Sequence, residues 1–206
     1  MKKLQWIMKL LVCIGMITSF SGCATTEITS AWKDPSYQGP PSRIMVIGIA
    51  KKPVNRRVFE DEFVRQLKAR GTDAFASYTV LSDKLENNHA VIAAKMKEKS
   101  ADTVLISKLV SKNIVKTYVP ETISTMPTYY GRWPDYYGNG YETLYTPGYM
   151  VEDEFAYVET NLYDTRDDKL IWSAASETLI NGSDQQLIKS FIRVMVDKMV
   201  EQKLLR

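Results

Sequence analysis

The feature that most limits the fold of this chain is a short apolar run followed directly by a helical pattern. Residues Arg43 to Ala50 read RIMVIGIA, a nearly continuous series of β-branched and aliphatic side chains. A strand of this kind must be covered on both faces, since a strand with one wet face alternates with polar residues. Residues Asn55 to Arg70 then place an apolar stripe on one helix face, formed by Phe59, Phe63, Val64 and Leu67. We therefore expect a central strand covered by helices.

Further strands and helices alternate along the chain. The predicted elements are a strand from Ala74 to Leu81, a helix from Asn88 to Lys99, strands Thr103 to Val119, Phe155 to Tyr163 and Leu170 to Leu179, and a helix from Ser183 to Leu204. Ser183 and Gln186 form a capping-box pattern at the start of the last helix. This order predicts a mixed α+β (α/β) fold with a single mixed sheet, β-α-β-α-β-(long insert)-β-β-α, and helices packed on the sheet.

The long insert, Pro120 to Met150, has a different composition. It holds seven of the twelve tyrosines, one tryptophan, four glycines and four prolines, and follows neither strand nor helix periodicity. Tyrosine and tryptophan rings are enriched in binding surfaces, so the insert is the candidate binding loop. Its candidate residues are Tyr129, Tyr130, Trp133, Tyr136, Tyr137, Tyr141 and Tyr145. The alternative is a flap that folds its own aromatic rings onto the sheet.

The amino terminus has the three parts of an export signal. Basic residues at the start precede an apolar run from Leu10 to Phe20, and small residues precede Cys23. The stretch Phe20 to Cys23 resembles a bacterial lipobox, which implies that residues 1–22 are a signal peptide and that Cys23 carries lipid. An ordinary signal peptide or a short anchor helix is the alternative. The apolar run is too short to span a bilayer.

Residues 23–42 are predicted to be a lipidated tether that leads to a single domain at 43–206. Prolines and a glycine between Pro35 and Pro41 exclude a regular helix or a central strand. Trp32 and Tyr37 are expected to pack on the edge of the domain, or else to rest at lipid headgroups. By resemblance to proteobacterial lipoproteins, Ala24 in place of Asp implies sorting to the outer membrane, with the domain facing the periplasm.

Composition excludes several classes of function. The whole chain has 27 basic and 24 acidic side chains, and three of the lysines lie in residues 1–22, so the mature chain is neutral. A neutral chain lacks the excess positive charge that attracts the phosphates of nucleic acid. Cys13 leaves with the signal and Cys23 carries lipid, which leaves no thiol for chemistry. His89 is the single histidine, interpreted as a solvated or helix-start residue, so we expect no metal and no cofactor.

The acidic clusters are interpreted as structural. Glu60 to Glu62 and Glu152 to Glu154 could act in acid-base catalysis, but both are expected to be solvated. Glu60 is expected to pair with Arg56, one turn away, on the solvent face of the helix. Asp164, Asp167 and Asp168 lack the spacing of an EF-hand loop and are assigned to a hairpin turn. Trp172 is expected in the core or on a sheet face.

Several short runs together resemble a known group of proteins. These are Ser30 to Pro35 (SAWKDP), RIMVIGIA, Arg56-Arg57 before Phe59-Glu60-Asp61, Glu159 to Asp164 (ETNLYD) and Lys169 to Ser173 (KLIWS). The combination resembles a family of uncharacterised Gram-negative lipoproteins with a Tyr- and Gly-rich insert and a final Asp-turn-Lys-Leu-Val-Trp hairpin, here with Ile171 in place of Val. In outline the order of elements is similar to the amino-terminal domain of TolB and to the lipoproteins of curli secretion and of penicillin-binding-protein activation.

These observations favour a non-catalytic outer-membrane lipoprotein. Its expected partners are the membrane, through the lipid, and an envelope protein or peptidoglycan. One alternative is a subunit of a lipoprotein ring or pore, although prolines in the insert interrupt the alternation that membrane strands need. A second alternative is an enzyme acting on cell-wall glycan, with Trp133 and tyrosines stacking on sugars beside Asp135 or Glu142.

Overall fold

The computed structural model describes residues 26–82, 88–126 and 142–205, with the backbone alone at 122–126 and 142–146. The strands are β1 (Thr26–Lys33), β2 (Arg43–Ile49), β3 (Asp73–Ala76), β4 (Thr103–Val119), β5 (Thr122–Met126), β6 (Glu142–Thr146), β7 (Tyr149–Asp164) and β8 (Leu170–Leu179). The helices are α1 (Pro53–Ala69), α2 (His89–Glu98) and α3 (Asp184–Glu201), and Ser77–Thr79 form a 3₁₀ turn.

Six strands form one mixed sheet in the order β1-β8-β7-β4-β2-β3. Strand β2 is parallel to β3 and to β4, because α1 and α2 provide the crossover connections. Strands β4, β7, β8 and β1 pair antiparallel. The predicted fold class, a single mixed sheet with helices on it, is confirmed. β2 is buried as expected, although it lies next to the edge strand β3 and not at the middle of the sheet.

Helices α1 and α3 cover one face of the sheet. Phe63 and Leu67 of α1 and Phe191 and Met195 of α3 join one buried cluster with Trp172 of β8. Trp172 is fully buried, as its sequence context predicted. The indole N–H of Trp172 donates to Gln202 beyond the end of α3, so its polar atom is paired.

Helix α2 covers part of the opposite face. Met96 packs with Met45, Ile47 and Val104 in a second, smaller cluster. His89 is the exposed first residue of α2, which confirms the sequence interpretation. The strands at the β1 side of this face are less covered, and Trp32 there is 48% exposed.

Strand β1 corrects the predicted tether. Residues 23–42 were assigned to a linker, yet Thr26–Lys33 pair with β8 as an edge strand of the sheet. The prolines that exclude a central strand come after β1, and Ile28 and Ala31 pack against the main core. Tyr37 also packs there, as expected for the domain edge. The fold therefore begins by Thr26 and not at residue 43.

The insert is also more regular than its composition indicated. Strand β7 begins at Tyr149, six residues before the predicted Phe155, and pairs with β4 to its end at Val119. Within the predicted insert, β5 and β6 pair antiparallel from Thr122↔Thr146 to Met126↔Glu142. Charged residues at Glu152 to Glu154 conceal the strand pattern, because both faces of this segment meet solvent.

The structure differs from the sequence prediction at the end of β3 and agrees with it at the start of α3. Strand β3 ends at Ala76 and not at Leu81, because Ser77 and the Tyr78 N–H leave the ladder to bond Glu60. The capping box of α3 is confirmed: the Ser183 side chain accepts from the Gln186 N–H, and the Gln186 side chain accepts from the Ser183 N–H.

Candidate functional site

A two-stranded ribbon, which we call the arm, projects from one end of the sheet. It consists of Ile114–Val119 of β4 paired with Tyr149–Glu154 of β7. Strand β8 ends its pairing with β7 at Phe155, and β2 ends its pairing with β4 at Lys108. Beyond the Glu154 carbonyl, which accepts from the Ile180 N–H at 2.8 Å, the arm therefore has two outer strand edges that the main sheet does not cover.

The arm combines exposed apolar side chains with matched charges. Ile114 is 62% exposed, Tyr118 59% and Met150 55%. Lys116 Nζ lies 2.5 Å from Glu152 Oε1, directly across the ribbon. At the base of the arm, Lys112 donates to Glu154 at 3.0 Å. These two pairs join opposite charges across the two strands, and Asp153 is the acidic residue of the arm that belongs to neither pair.

The candidate binding residues of the insert stand mostly outside the described part of the chain. This holds for Tyr129, Tyr130, Trp133, Tyr136, Tyr137 and Tyr141, and Tyr145 is described only as a backbone position in β6. The lipidation candidate Cys23 also lies outside the described residues. Their assigned roles stay predictions.

An apolar cleft of about 280 Å³ lies beside the base of the arm. It opens between the first turns of α1 and α3 and the sheet, and its apolar wall includes Phe59, Leu109, Val158, Ile180, Leu187 and Phe191. Two hydroxyl groups of the wall are bonded to neighbours. Ser107 shares a hydrogen bond of 2.8 Å with Thr160, and Thr178 shares one of 2.9 Å with Thr26. Sequence reasoning missed this cleft, because its wall draws on six separate elements, β2, α1, β4, β7, β8 and α3.

Behind the cleft wall, Arg56 and Glu60 form a buried ion pair, which corrects their predicted solvent exposure. Arg56 is 1% exposed and Glu60 0%. The Arg56 Nε donates to Glu60 Oε1 at 2.9 Å, and the Gly48 N–H donates to the same oxygen at 3.0 Å. The Ser77 hydroxyl donates to Glu60 at 2.7 Å and accepts from the Arg56 guanidinium at 2.8 Å. Because Glu60 is fully buried and both of its oxygens accept hydrogen bonds from the protein, it links β2, α1 and the turn after β3.

The far end of the sheet holds a polar cluster around the β7–β8 turn. Asp164 accepts from the backbone N–H of Arg166 at 2.8 Å and also pairs with the Arg166 guanidinium. The hydrogen bond from the Arg166 side chain is the main reason that the pKa of Asp164 is lowered. This arrangement confirms a hairpin turn at Asp164. Among the residues that the structure describes, no group of three or more His, Cys, Asp or Glu side chains could hold a metal ion.

Two of the sequence runs that carry the family resemblance meet at this end. Lys33 of β1 lies opposite Trp172 of β8, and the Asp34 N–H donates to the Ile171 carbonyl at 2.8 Å. The side chain of Asp34 then accepts from the Ser36 N–H, which closes the turn after β1. The two runs are thus neighbouring strands, and their shared role is to fix β1 to the sheet.

Within the described ranges, the longest apolar helical stretch falls short of a membrane span. No family model matches the chain by sequence, and no curated protein matches it.

Similar solved structures include PelC of Paraburkholderia phytofirmans, a dodecamer, at 11% identity and a TM-score of 0.47, covering 83% of this chain and 95% of PelC. Lipoprotein GNA1162 of Neisseria meningitidis matches at 15% identity and a TM-score of 0.43, covering 78% of this chain and 99% of that one. A PDZ domain protein of Parabacteroides distasonis matches at 10% identity and a TM-score of 0.32, covering 86% of this chain and 36% of its own length. At these identities and scores, the likenesses assign no function to this chain.

Proposed function

We propose that this protein is a lipid-anchored lipoprotein of the outer membrane whose domain binds another component of the cell envelope and does not catalyse a reaction. The observation that carries the proposal is the position of β1 relative to the lipobox. Thr26 is 5% exposed and bonded to Thr178, and it lies three residues after Cys23. The sheet therefore reaches to within three positions of the proposed lipidated cysteine, so a lipid on Cys23 would attach the folded domain to the membrane almost directly.

The anchor is tested by substituting the two cysteines separately in the full-length chain. Cys23→Ser removes the thiol that would receive the lipid, so we expect the precursor to accumulate with its signal attached. Cys13→Ser, inside the signal, is the matched control and is expected to be processed normally. Processing is measured from the mass of the chain in membrane fractions. A mature-length Cys23→Ser chain in the outer membrane would contradict the proposal.

The absence of catalysis is supported by the state of the polar groups near the cleft. Glu60, the most buried acid of this region, has its carboxylate oxygens filled by neighbours from the protein. Catalytic acids and bases need a proton-transfer path to a substrate, which such a closed set of bonds does not provide. The cleft wall exposes mainly apolar carbon atoms, and such a surface suits binding better than catalysis.

The binding of an envelope component is assigned to the aromatic insert, with an envelope protein or peptidoglycan as the partner. The structure shows where this insert can be removed. Met126 and Glu142 are the last paired residues of β5 and β6, so a two-residue Asn-Gly turn can join them in place of residues 127–141. This change keeps every described strand.

We expect the shortened chain to keep its thermal midpoint and to lose its partner. Partners are measured by crosslinking in intact envelopes, and glycan binding by sedimentation with purified peptidoglycan. Retention of both the crosslinks and the sedimentation would show that the insert is not the recognition surface. A large drop in the thermal midpoint would show instead that the insert belongs to the core.

A further inference from the structure

Thr26, the first described residue after the proposed anchor at Cys23, and the base of the arm lie at the same level of the sheet. Thr26 of β1 pairs with Thr178 of β8, Thr178 with Ala156 of β7, and Ala156 with Lys112 of β4. β1 runs parallel to β7, since both pair antiparallel with β8. The chain that precedes Thr26 therefore leaves the sheet at the end from which the arm projects.

The segment that leads to the anchor and the arm extend different distances from this level of the sheet. Only Ala24 and Thr25 lie between Cys23 and Thr26, and these three residue-to-residue steps reach about 10 Å when fully extended. From Lys112 to Val119 the ribbon continues for seven residues, about 23 Å at the usual rise of a strand. If acyl chains hold Cys23 in a leaflet, the outer half of the arm extends past the level that the anchor can occupy. With the strands upright on the membrane and the arm toward it, the outer half of the arm meets the lipid, and with the strands tilted the arm lies along the surface.

The side chains of the arm suit the headgroup layer. Tyr118 and Tyr149 are exposed at its outer end, next to exposed Met150, and such rings favour the boundary between water and lipid. In the outer part of the arm, residues 116–119 and 149–152, the one lysine and the one glutamate pair with each other, whereas Asp153 and Glu154 lie nearer the sheet. The uncovered strand edges of the arm carry backbone polar groups that hydrocarbon cannot satisfy, which excludes deep insertion of an isolated ribbon. These features together fit a segment that rests among headgroups.

From this geometry we infer that the arm docks in the headgroup layer of the leaflet that holds Cys23, and that it sets the orientation of the domain on the membrane. The inference rests on the proposed lipid anchor. It gives the molecule two membrane contacts, one covalent and one through Ile114–Val119 and Tyr149–Glu154. A single acyl attachment would leave the domain free to rotate, whereas the arm fixes which end faces the lipid.

The experiment places a fluorescent label on the arm of the purified full-length lipoprotein. Acylation consumes Cys23 and processing removes Cys13, so Tyr118→Cys introduces a unique thiol for a polarity-sensitive dye. Lys68→Cys is the matched control, since Lys68 is exposed near the end of α1 at the opposite end of the sheet. Both proteins are placed in vesicles of phosphatidylethanolamine and phosphatidylglycerol, with or without lipids that carry a quencher near the headgroup.

Docking of the arm predicts loss of most of the emission at position 118 in quencher vesicles and no loss at position 68. No quenching at either position, or equal quenching at both, would overturn the inference. Self-quenching at position 118 that grows with protein density, without quenching by lipid, would show that a second copy covers the arm and would also overturn it. Mass spectrometry of the same samples reports acylation at Cys23. An acylated chain with an unquenched arm therefore fails the inference alone, and an unacylated chain fails the proposed function.

Discussion

Glu60 connects three parts of the fold through its carboxylate. Its oxygens accept from the Gly48 N–H on β2, from Arg56 on α1, and from Ser77 and the Tyr78 N–H after β3. A buried charge that loses a partner is costly, because the remaining charge has no water to solvate it. Substitution of Glu60 therefore tests whether this region is rigid structure or an open site.

Neutralising Glu60 is expected to destabilise the domain strongly. Glu60→Gln leaves Arg56 buried without its counter-charge, and the cost of breaking such a pair is about 3–5 kcal/mol. Glu62→Gln, which affects the surface pair with Arg65, is the control and is expected to cost less than about 1 kcal/mol. Urea unfolding midpoints measure both. Similar midpoints for the two variants would show that Glu60 is not the buried link described above.

Asp164 predicts how acid affects stability. Its pKa is lowered in the folded state, mainly by the hydrogen bond from Arg166. A lowered carboxylate pKa stabilises the fold above the unfolded pKa of about 3.9, and this contribution is lost as pH falls through the folded pKa. Asp164→Asn should therefore reduce stability at neutral pH and flatten its loss below about pH 4.

Chemical unfolding between neutral and acidic pH measures this effect. Asp168→Asn is the control for charge number in the same turn, at a position whose positive φ of 58° Asn tolerates. An acid profile of Asp164→Asn that matches the unmodified protein would contradict the assignment.

At the residue scale, the sequence showed which side chains pair more reliably than whether those side chains are buried or exposed. Arg56 and Glu60 were recognised as a pair at the helical spacing, but that spacing is the same for a solvated pair and for a buried one. Burial is decided by Gly48 and Ser77, which come from other parts of the chain. Trp172 and His89 were placed correctly, because an indole beside a β-branched strand and a lone histidine before a helix each have one common environment.

Among the elements, β1 differs most from its prediction, and a pair of substitutions tests it. Ala31 packs against the main core opposite Ala174, whereas Trp32 lies half-exposed on the other face. Ala31→Asp would bury a charge and is expected to cost about 2 kcal/mol or more. Trp32→Ser should cost well under that amount. If residues 26–33 were a tether, thermal midpoints would be unchanged for both variants.

The elements that sequence predicted are those with strong patterns. The continuous apolar run of β2, the stripes of α1 and α3, and the capping box at Ser183 each identify an element and its covered face. An edge strand such as β1 has one half-covered face and a bulge between Ile28 and Ser30, so its alternation is broken. The part of β7 in the arm has solvent on both sides, and a strand without a buried face leaves no hydrophobic period to detect.

For the whole molecule, the sheet joins segments that are far apart in the sequence. Thr26 and Thr178 are 152 positions apart, whereas β7 and β8 are joined by a short turn. Contacts between distant residues cost more loop-closure entropy and tend to form late. We expect the amides of β7 and β8 that bond each other to be protected early in refolding, and those of β1 last. Pulse-labelled hydrogen exchange measures this order, and early protection of β1 would contradict it.

The pairing of β1 with β8 also determines how the molecule would bear a mechanical load. A lipid attached at Cys23 would pull β1 from its first residue, along the strand axis, while a bound envelope partner held the remainder of the domain. Seven residue pairs connect β1 to β8. A pull along the axis loads these rungs together in shear, whereas a pull across the strands would open them one at a time. The edge strand that replaces the predicted tether would thus transmit force from the membrane directly into the sheet.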